Sequence, residues 1–339
     1  MKKTTVLCVL DGVGENPDPV GNAVAQANTP NLDRFYKTYP HSQLLTHGEA
    51  VGLPEGQMGG SDMGHFNLGA GRIIYHVLQK GRRELASGDF MKKEDVKPFL
   101  DKVRENQKPV HLIGLVSAGG VHSHIDHLIG LIQNLAPLGL PVYIHVITDG
   151  RDTHAQAAKE EIAPLVEAIK EFDNVKIADV VGRFYPMDRD NNMERIQAAL
   201  DMYIHGKALH KADDAYKAIG AAYERDETDE FITSTSLPPL NEGGTMGKDD
   251  ALLFFNFRAD RERQIVGRFI EEGYTNIATM VEYDEDFRKD VTVFYPPEKI
   301  KNTIGEYLSN LDKTQFRIAE TEKYAYVTFC FNGGREDPF

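Results

Sequence analysis

Apolar positions along the chain follow two rhythms, and where each rhythm falls predicts the architecture. From about His76 to Pro297, short apolar runs alternate with stretches whose apolar residues return every three or four positions. Val110 to Val116 reads as a buried strand, and Ile125, Leu128, Ile129 and Ile132 behind it share one helical face. Val142 to Ile147 reads as a second strand, followed by a helix carrying Ile162, Leu165, Val166 and Ile169. Val175 to Val181 and Ala251 to Phe257 give two more strands. Strands alternating with helices predict an α/β fold with a mainly parallel sheet covered on both faces.

Outside that stretch the rhythm is less regular. Lys3 to Leu10 predicts a first buried strand, closed by the turn Asp11-Gly12-Val13-Gly14. Thr29-Pro30 starts a helix running through Leu32 and Phe35 towards Tyr39. Between Gly48 and Gly71 glycines are dense, which suggests backbone folded tightly around a site rather than a regular element. Tyr295-Pro296-Pro297-Glu298-Lys299 reads as a hinge. Beyond it the pattern predicts a helix near Ile304 to Leu311 and strands at Phe316 to Ala319 and Tyr326 to Phe331. The expected organisation is a discontinuous domain, 1–75 with 298–339, interrupted by an inserted domain, 76–297.

Composition narrows the class. A chain of 339 residues suits two domains, and 41% hydrophobic with 27% charged residues is the balance of a soluble globular protein. No apolar stretch is long enough to cross a bilayer, and the N-terminal run lacks a small-residue cleavage site. Cys8 and Cys330 therefore read as reduced, buried thiols of a cytoplasmic protein. A net charge of -14 argues against nucleic acid or anionic membrane as partner. Against that background, clustered arginines point to an anionic ligand.

Three groups carry candidate chemistry. Asp11, a carboxylate at the end of a first strand and followed by Gly-x-Gly, fits a metal or phosphate site, although Asp-Gly is also an ordinary turn. Ser61, in Gln57-Met58-Gly59-Gly60-Ser61-Asp62-Met63-Gly64-His65, would open a short helix whose N-terminus favours a phosphate or alkoxide on its oxygen. A helix cap is the equal alternative. The third group follows the strands of the inserted domain: His122 and His124; Arg151 and Asp152; Arg183 with Arg189; Arg258 and Arg261. Any one of these would pass for a surface ion pair. Four strands delivering polar residues at the carboxyl edge of one sheet point instead to an anion pocket. The acidic run Asp226-Glu227-Thr228-Asp229-Glu230 reads as a solvated face, and His205, His210, Tyr216 and Tyr223 as packing or surface residues.

Several motifs resemble one family. Leu10-Asp11-Gly12-Val13-Gly14, Ala27-Asn28-Thr29-Pro30-Asn31 and Gly48-Glu49-Ala50-Val51-Gly52-Leu53-Pro54 are similar to 2,3-bisphosphoglycerate-independent phosphoglycerate mutases. So are Gly119-Gly120-Val121-His122-Ser123-His124, Asp149-Gly150-Arg151-Asp152, Asn256-Phe257-Arg258-Ala259-Asp260-Arg261 and Arg317 to Tyr324. The resemblance implies an alkaline-phosphatase-like, metal-binding domain with an inserted transferase domain. It implies that Ser61 accepts a phosphoryl group and that Asp11 and Ser61 ligate one of two divalent ions, manganese first among them. It further implies that Lys323 stabilises charge near the serine oxygen, and that 2,3-bisphosphoglycerate is not required. His122, Arg151, Asp152, Arg183, Arg189, Arg258, Arg261 and Lys323 would bind phosphoglycerate, with Asp152 moving the proton between its hydroxyls. The expected protein is a monomeric glycolytic isomerase.

The resemblance has two departures. Gly60-Ser61-Asp62-Met63 stands where the family more often has Asn-Ser-Glu-Val. Family members also continue past Gly333-Gly334-Arg335-Glu336 with Asp and His residues that complete the metal sites, whereas residues 300–339 hold no histidine. The expectation is a C-terminally incomplete chain that binds metal weakly and lacks mutase activity as given. A related metal-dependent phosphomonoesterase or phosphopentomutase, disfavoured by the arginine set, and a non-catalytic anion-binding fragment are the alternatives.

Overall fold

The structure, a computed structural model, describes residues 4–241 and 245–339. These divide into two compact units, one of residues 1–75 and 299–339 and the other of residues 76–298.

The larger unit is built on an eight-stranded sheet: β1 (Val110–Val116), β2 (Val142–Thr148), β3 (Val175–Gly182), β4 (His210–Lys211), β5 (Thr235–Ser236), β6 (Ala251–Phe254), β7 (Ile277–Val281) and β8 (Val291–Tyr295). The order is β4-β5-β3-β2-β1-β6-β7-β8. All pairs are parallel except β3 with β5. Registers such as Val110↔Val142 and Val110↔Ala251 align the central strands, so β1, β2 and β6 run side by side. Alternate side chains enter two cores. Leu112, Val146 and Leu253 face one, with helices Ile125–Leu135 and Ala158–Ile169, while Ile113, Ile147 and Phe254 face the other, with helices Met193–His205 and Arg263–Glu271. Burial on both faces accounts for the near-continuous apolar strands, and the α/β expectation holds.

From β1 the chain proceeds outward to β2 and β3, then returns and proceeds the other way through β6, β7 and β8. The direction reverses between β1 and β6. In such sheets the crevice outside the carboxyl ends at the reversal is the natural ligand site.

One glycine marks how tightly that edge is sewn. A Cβ on Gly182, the last residue of β3, would lie 2.5 Å from the amide nitrogen of Ile232 and would overlap the Glu230 carbonyl. Gly182→Ala is therefore expected to destabilise the protein by ~1–3 kcal/mol. The check is a lower urea midpoint with an unchanged slope.

The smaller unit departs from the expected pattern. Residues 4–10 form no strand and Val6 and Leu7 are exposed; Lys3 lies outside the described residues. Phe316 to Ala319 likewise forms no strand, and Phe316 and Ile318 are exposed. Tyr326 to Phe331, expected as a strand, is instead a widened helical turn over Tyr326–Cys330. The physical reason is common to all three: a strand exists only by pairing, and no described residue of this unit supplies a partner strand. Cys8, expected buried, is exposed, whereas Cys330 is buried. The glycine-dense stretch is also more regular than expected, because Ser61–Ala70 is an α-helix. Gly69 lets that helix touch the Phe331 backbone, and Phe66 packs edge-on against Phe329 at 6.2 Å. No helix among the described residues is long and apolar enough to cross a membrane.

Candidate active site

In the larger unit, the carboxyl ends of β1, β2, β3 and β6 bring the expected polar residues into one cluster. Its hub is Arg183, just past β3 and 2% exposed. The Arg183 Nη1 donates to Asp149 Oδ1 and Asp152 Oδ2, both at 2.6 Å. Asp149 is buried after β2 and also accepts from Ser117 Oγ at 2.6 Å and from the Arg151 and Asp152 amides at 3.1 and 3.0 Å. Burial opposes its ionisation, yet these donors together hold its carboxyl below the usual range.

His122, past β1, lies 3.8 Å from Asp152 and 4.0 Å from Asp260. Burial, reinforced by the Arg183 guanidinium, pushes it down to about 4, so it is neutral at pH 7. Its buried Nδ1 makes no hydrogen bond in the structure, which leaves it available to a substrate hydroxyl or a phosphate proton. Asp260 gathers two cations: Arg189 Nη1 at 2.8 Å and Arg258 Nε at 2.9 Å. Arg261 donates to the Met187 carbonyl at 3.0 Å. Burial lowers the Arg261 pKa, and so does repulsion from Arg183, Arg189 and Arg151. Arg183, Arg189 and Arg151 each have a carboxylate partner, whereas Arg261 is held by a carbonyl, and an arriving phosphate or carboxylate would relieve the repulsion on it. Arg151 is half exposed and pairs with Glu230 at 3.2 Å. Beside it opens a cleft of about 610 Å³ bordered by Arg151, Asp152, Thr153, His154 and Glu161. That is room for a small phosphorylated acid.

The smaller unit holds a second group. Ser61 opens the helix Ser61–Ala70, with Gly60 as its cap residue. Gly59 is required there, since a Cβ would overlap the Thr46 carbonyl. The Ser61 hydroxyl donates to Asp11 Oδ2 at 2.6 Å, and Lys323 Nζ reaches the same oxygen at 2.8 Å. Lys323 and then Ser61 hold the Asp11 carboxyl below its usual range, and Asp11 in turn raises Lys323. Ser61 thus lies at the positive end of a helix, its proton directed at a carboxylate and an ammonium beside it.

A model of the BPG-independent phosphoglycerate mutase N-terminus matches residues 82–290. The 2,3-bisphosphoglycerate-independent phosphoglycerate mutase of Clostridium perfringens (strain SM101 / Type A) is 44% identical over 348 residues, covering 99% of this chain and 68% of its own length. The enzyme of that name from Serratia proteamaculans is 42% identical and is covered over 68% of its length. This chain belongs to the 2,3-bisphosphoglycerate-independent phosphoglycerate mutase family. Among solved structures, the phosphoglycerate mutase of Leishmania mexicana at low cobalt concentration aligns with a TM-score of 0.63 and 28% identity. That match covers 92% of this chain and 61% of the Leishmania chain. Part of each of these phosphoglycerate mutases thus has no counterpart in this sequence.

The ligand set for two divalent ions is incomplete among the described residues, with Asp11 and Ser61 the candidates present. Among the described residues no group of three or more His, Cys, Asp or Glu side chains could hold a metal. Asp11 Oδ2 is already shared by Ser61 and Lys323. Asp149, Asp260 and Glu230, which the sequence does not mark as functional, anchor the arginines in the structure. Their signal is that each lies within a few residues of a strand end or of a paired arginine.

Proposed function

We propose that this chain is part of an isomerase that interconverts 3-phosphoglycerate and 2-phosphoglycerate by way of a phosphoserine at Ser61. The observation that most supports this reading is the arginine cluster: a neutral histidine, a carboxylate and mutually repelling guanidiniums meet at the reversal point of the sheet. Arg258, Arg189, Arg261 and Arg151 would take the carboxylate and phosphate of the substrate, and His122 one hydroxyl. Asp152, fixed by Arg183, lies within reach of the glycerate hydroxyls on this reading.

The balance is simple. In the first half, the bond from phosphorus to the glycerate oxygen breaks and a bond to Ser61 Oγ forms. The serine proton passes to Asp11, and Lys323 offsets the charge on the transferred group. Asp11 is a weak base, because Lys323 and Ser61 depress it, so it orients the hydroxyl more than it activates it. The other glycerate hydroxyl gives its proton to Asp152, which delivers it to the released oxygen. That second oxygen then attacks phosphoserine, Ser61 Oγ takes its proton back from Asp11 as it leaves, and the phosphoryl group returns one carbon away with no net change in protons. Divalent ions, manganese first, and a cytoplasmic, monomeric working form belong to the same proposal, as does the division of labour between a phosphatase-like unit and an inserted transferase unit.

The test is phosphopeptide mass spectrometry after incubation with 3-phosphoglycerate, with and without added manganese. The 339 residues by themselves are expected to give little or no 2-phosphoglycerate, whereas a longer chain that supplies the missing metal ligands should give both phosphate on Ser61 and 2-phosphoglycerate. Ser61→Ala should abolish both while leaving 3-phosphoglycerate binding within about twofold. Turnover that survives in Ser61→Ala would overturn the phosphoserine route.

A further inference from the structure

The acidic run Asp226 to Glu230 does not behave as a solvated face. Asp229 is fully buried. Its Oδ2 accepts the Ala157 and Ala158 amides at 2.7 and 2.8 Å, and its Oδ1 accepts the Tyr223 hydroxyl at 2.5 Å. Its own amide donates to the Ala155 carbonyl at 2.8 Å, and its carbonyl accepts Thr148 Oγ1 at 2.7 Å. Every one of these partners except Tyr223 belongs to the end of β2, to the loop that follows it or to the first residue of the next helix.

That loop carries Arg151 and Asp152 and leads into the helix Ala158–Ile169. The residue at the start of this helix, Ala157, has no side chain able to cap it. Asp229 supplies the missing cap from another part of the chain, and its charge suits a helix N-terminus. Gly150 confirms the closeness: its φ is +69°, and a Cβ there would lie 2.8 Å from the Asp229 Cβ. The next residue, Glu230, pairs with Arg151 at 3.2 Å and its carbonyl accepts the Phe184 amide, one residue past Arg183.

We propose that Asp229 is a positioning residue, which acts through the loop 149–157 to hold Arg151 and Asp152 in their anion-binding arrangement. The proposal rests on the substrate reading above for what those two residues bind. Asp229 itself touches no substrate.

The experiment combines amide hydrogen exchange with calorimetric titration of 3-phosphoglycerate, on the full chain and on Asp229→Asn, Arg151→Ala and the double variant. Asp229→Asn is expected to speed exchange at residues 150–158 by about tenfold or more while β1 amides keep their protection. Its affinity for 3-phosphoglycerate is expected to fall about tenfold, and to fall much less when Arg151 is already alanine. Tyr223→Phe, which removes one donor only, should give an intermediate exchange rate. Unchanged exchange in the loop overturns the proposal, and so does an affinity loss of equal size in the Arg151→Ala background, the mark of general destabilisation. A parent chain that binds no 3-phosphoglycerate defeats the substrate reading instead; loop exchange then decides the positioning role by itself.

Discussion

Arg183→Met is expected to destabilise the larger unit by ~3–5 kcal/mol and to weaken 3-phosphoglycerate binding by about two orders of magnitude. The size follows from what the guanidinium leaves behind. Arg183 is buried and its Nη1 serves two carboxylates at 2.6 Å, Asp149 and Asp152. Methionine fills much the same volume but removes the only cation that pairs with Asp149 among the described residues, and Asp149 has no access to water to compensate. Asp149 would keep its Ser117, Arg151 and Asp152 donors, so its carboxyl would move up towards the ordinary range rather than lose all support. Asp152, partly exposed, would be free to turn from the position that His122 and Arg183 now define. Urea unfolding and calorimetry measure the two losses separately. The double variant Arg183→Met with Asp149→Asn should recover part of the stability, because the uncompensated charge is gone, but none of the affinity. A single variant within about 1 kcal/mol of the parent would show that the pair contributes little and that Asp152 is held by other means.

How far the sequence leads depends on how local each determinant is. Val110–Val116, Val142–Thr148 and Val175–Gly182 are legible because burial on both faces makes them continuous apolar runs. Ala251–Phe254 is shorter than its apolar run suggests, since Phe255 to Phe257 leave the sheet to bring Arg258 to the crevice. Thr4 to Leu10 and Tyr326 to Phe331 have equally good strand composition, and neither forms one. Composition encodes the capacity to pair, and the pairing partner is not written in the segment itself. The same limit governs the site. That arginines follow strands can be read directly, whereas the carboxylate that holds each arginine cannot. Asp260 anchors Arg189, which is 71 residues distant. Asp229 looks like surface charge until its amide partners at Ala157 and Ala158 are seen. Ion pairs and remote caps join residues far apart in sequence, and no period or motif reports them.

Acid is expected to weaken the fold through buried neutral histidines, most cleanly through His127. Its ring is buried against Phe257 at 4.5 Å, and its Nε2 donates to the Leu78 carbonyl at 2.8 Å. Burial pushes it down to about 4, with the Leu78 carbonyl opposing and the neighbouring charges His124 and Asp126 acting in opposite directions. The unfolded ring titrates near 6.5. Between those values the unfolded chain binds a proton that the folded chain refuses, so this stability is complete above pH ~6.5 and is lost as pH falls towards about 4. From pH 7 to pH 4.5 the loss from His127 alone is ~2–3 kcal/mol. His111 is also pushed down to about 4 by burial, but it is a poorer probe. It sits in a buried line, Asp250 to His111 at 3.2 Å, His111 to His145 at 2.8 Å and His145 to Asp179 at 2.5 Å. Burial raises the Asp179 carboxyl, and a raised acid stabilises the fold at low pH and loses that contribution as pH rises. Within the line the two trends offset each other; His127 has no buried acid to offset it. Urea midpoints from pH 7.5 to 4.5 should therefore fall more steeply for the parent than for His127→Gln, even though the variant starts lower at neutral pH. Parallel curves would show that His127 carries the same charge in both states, and that the acid sensitivity lies elsewhere.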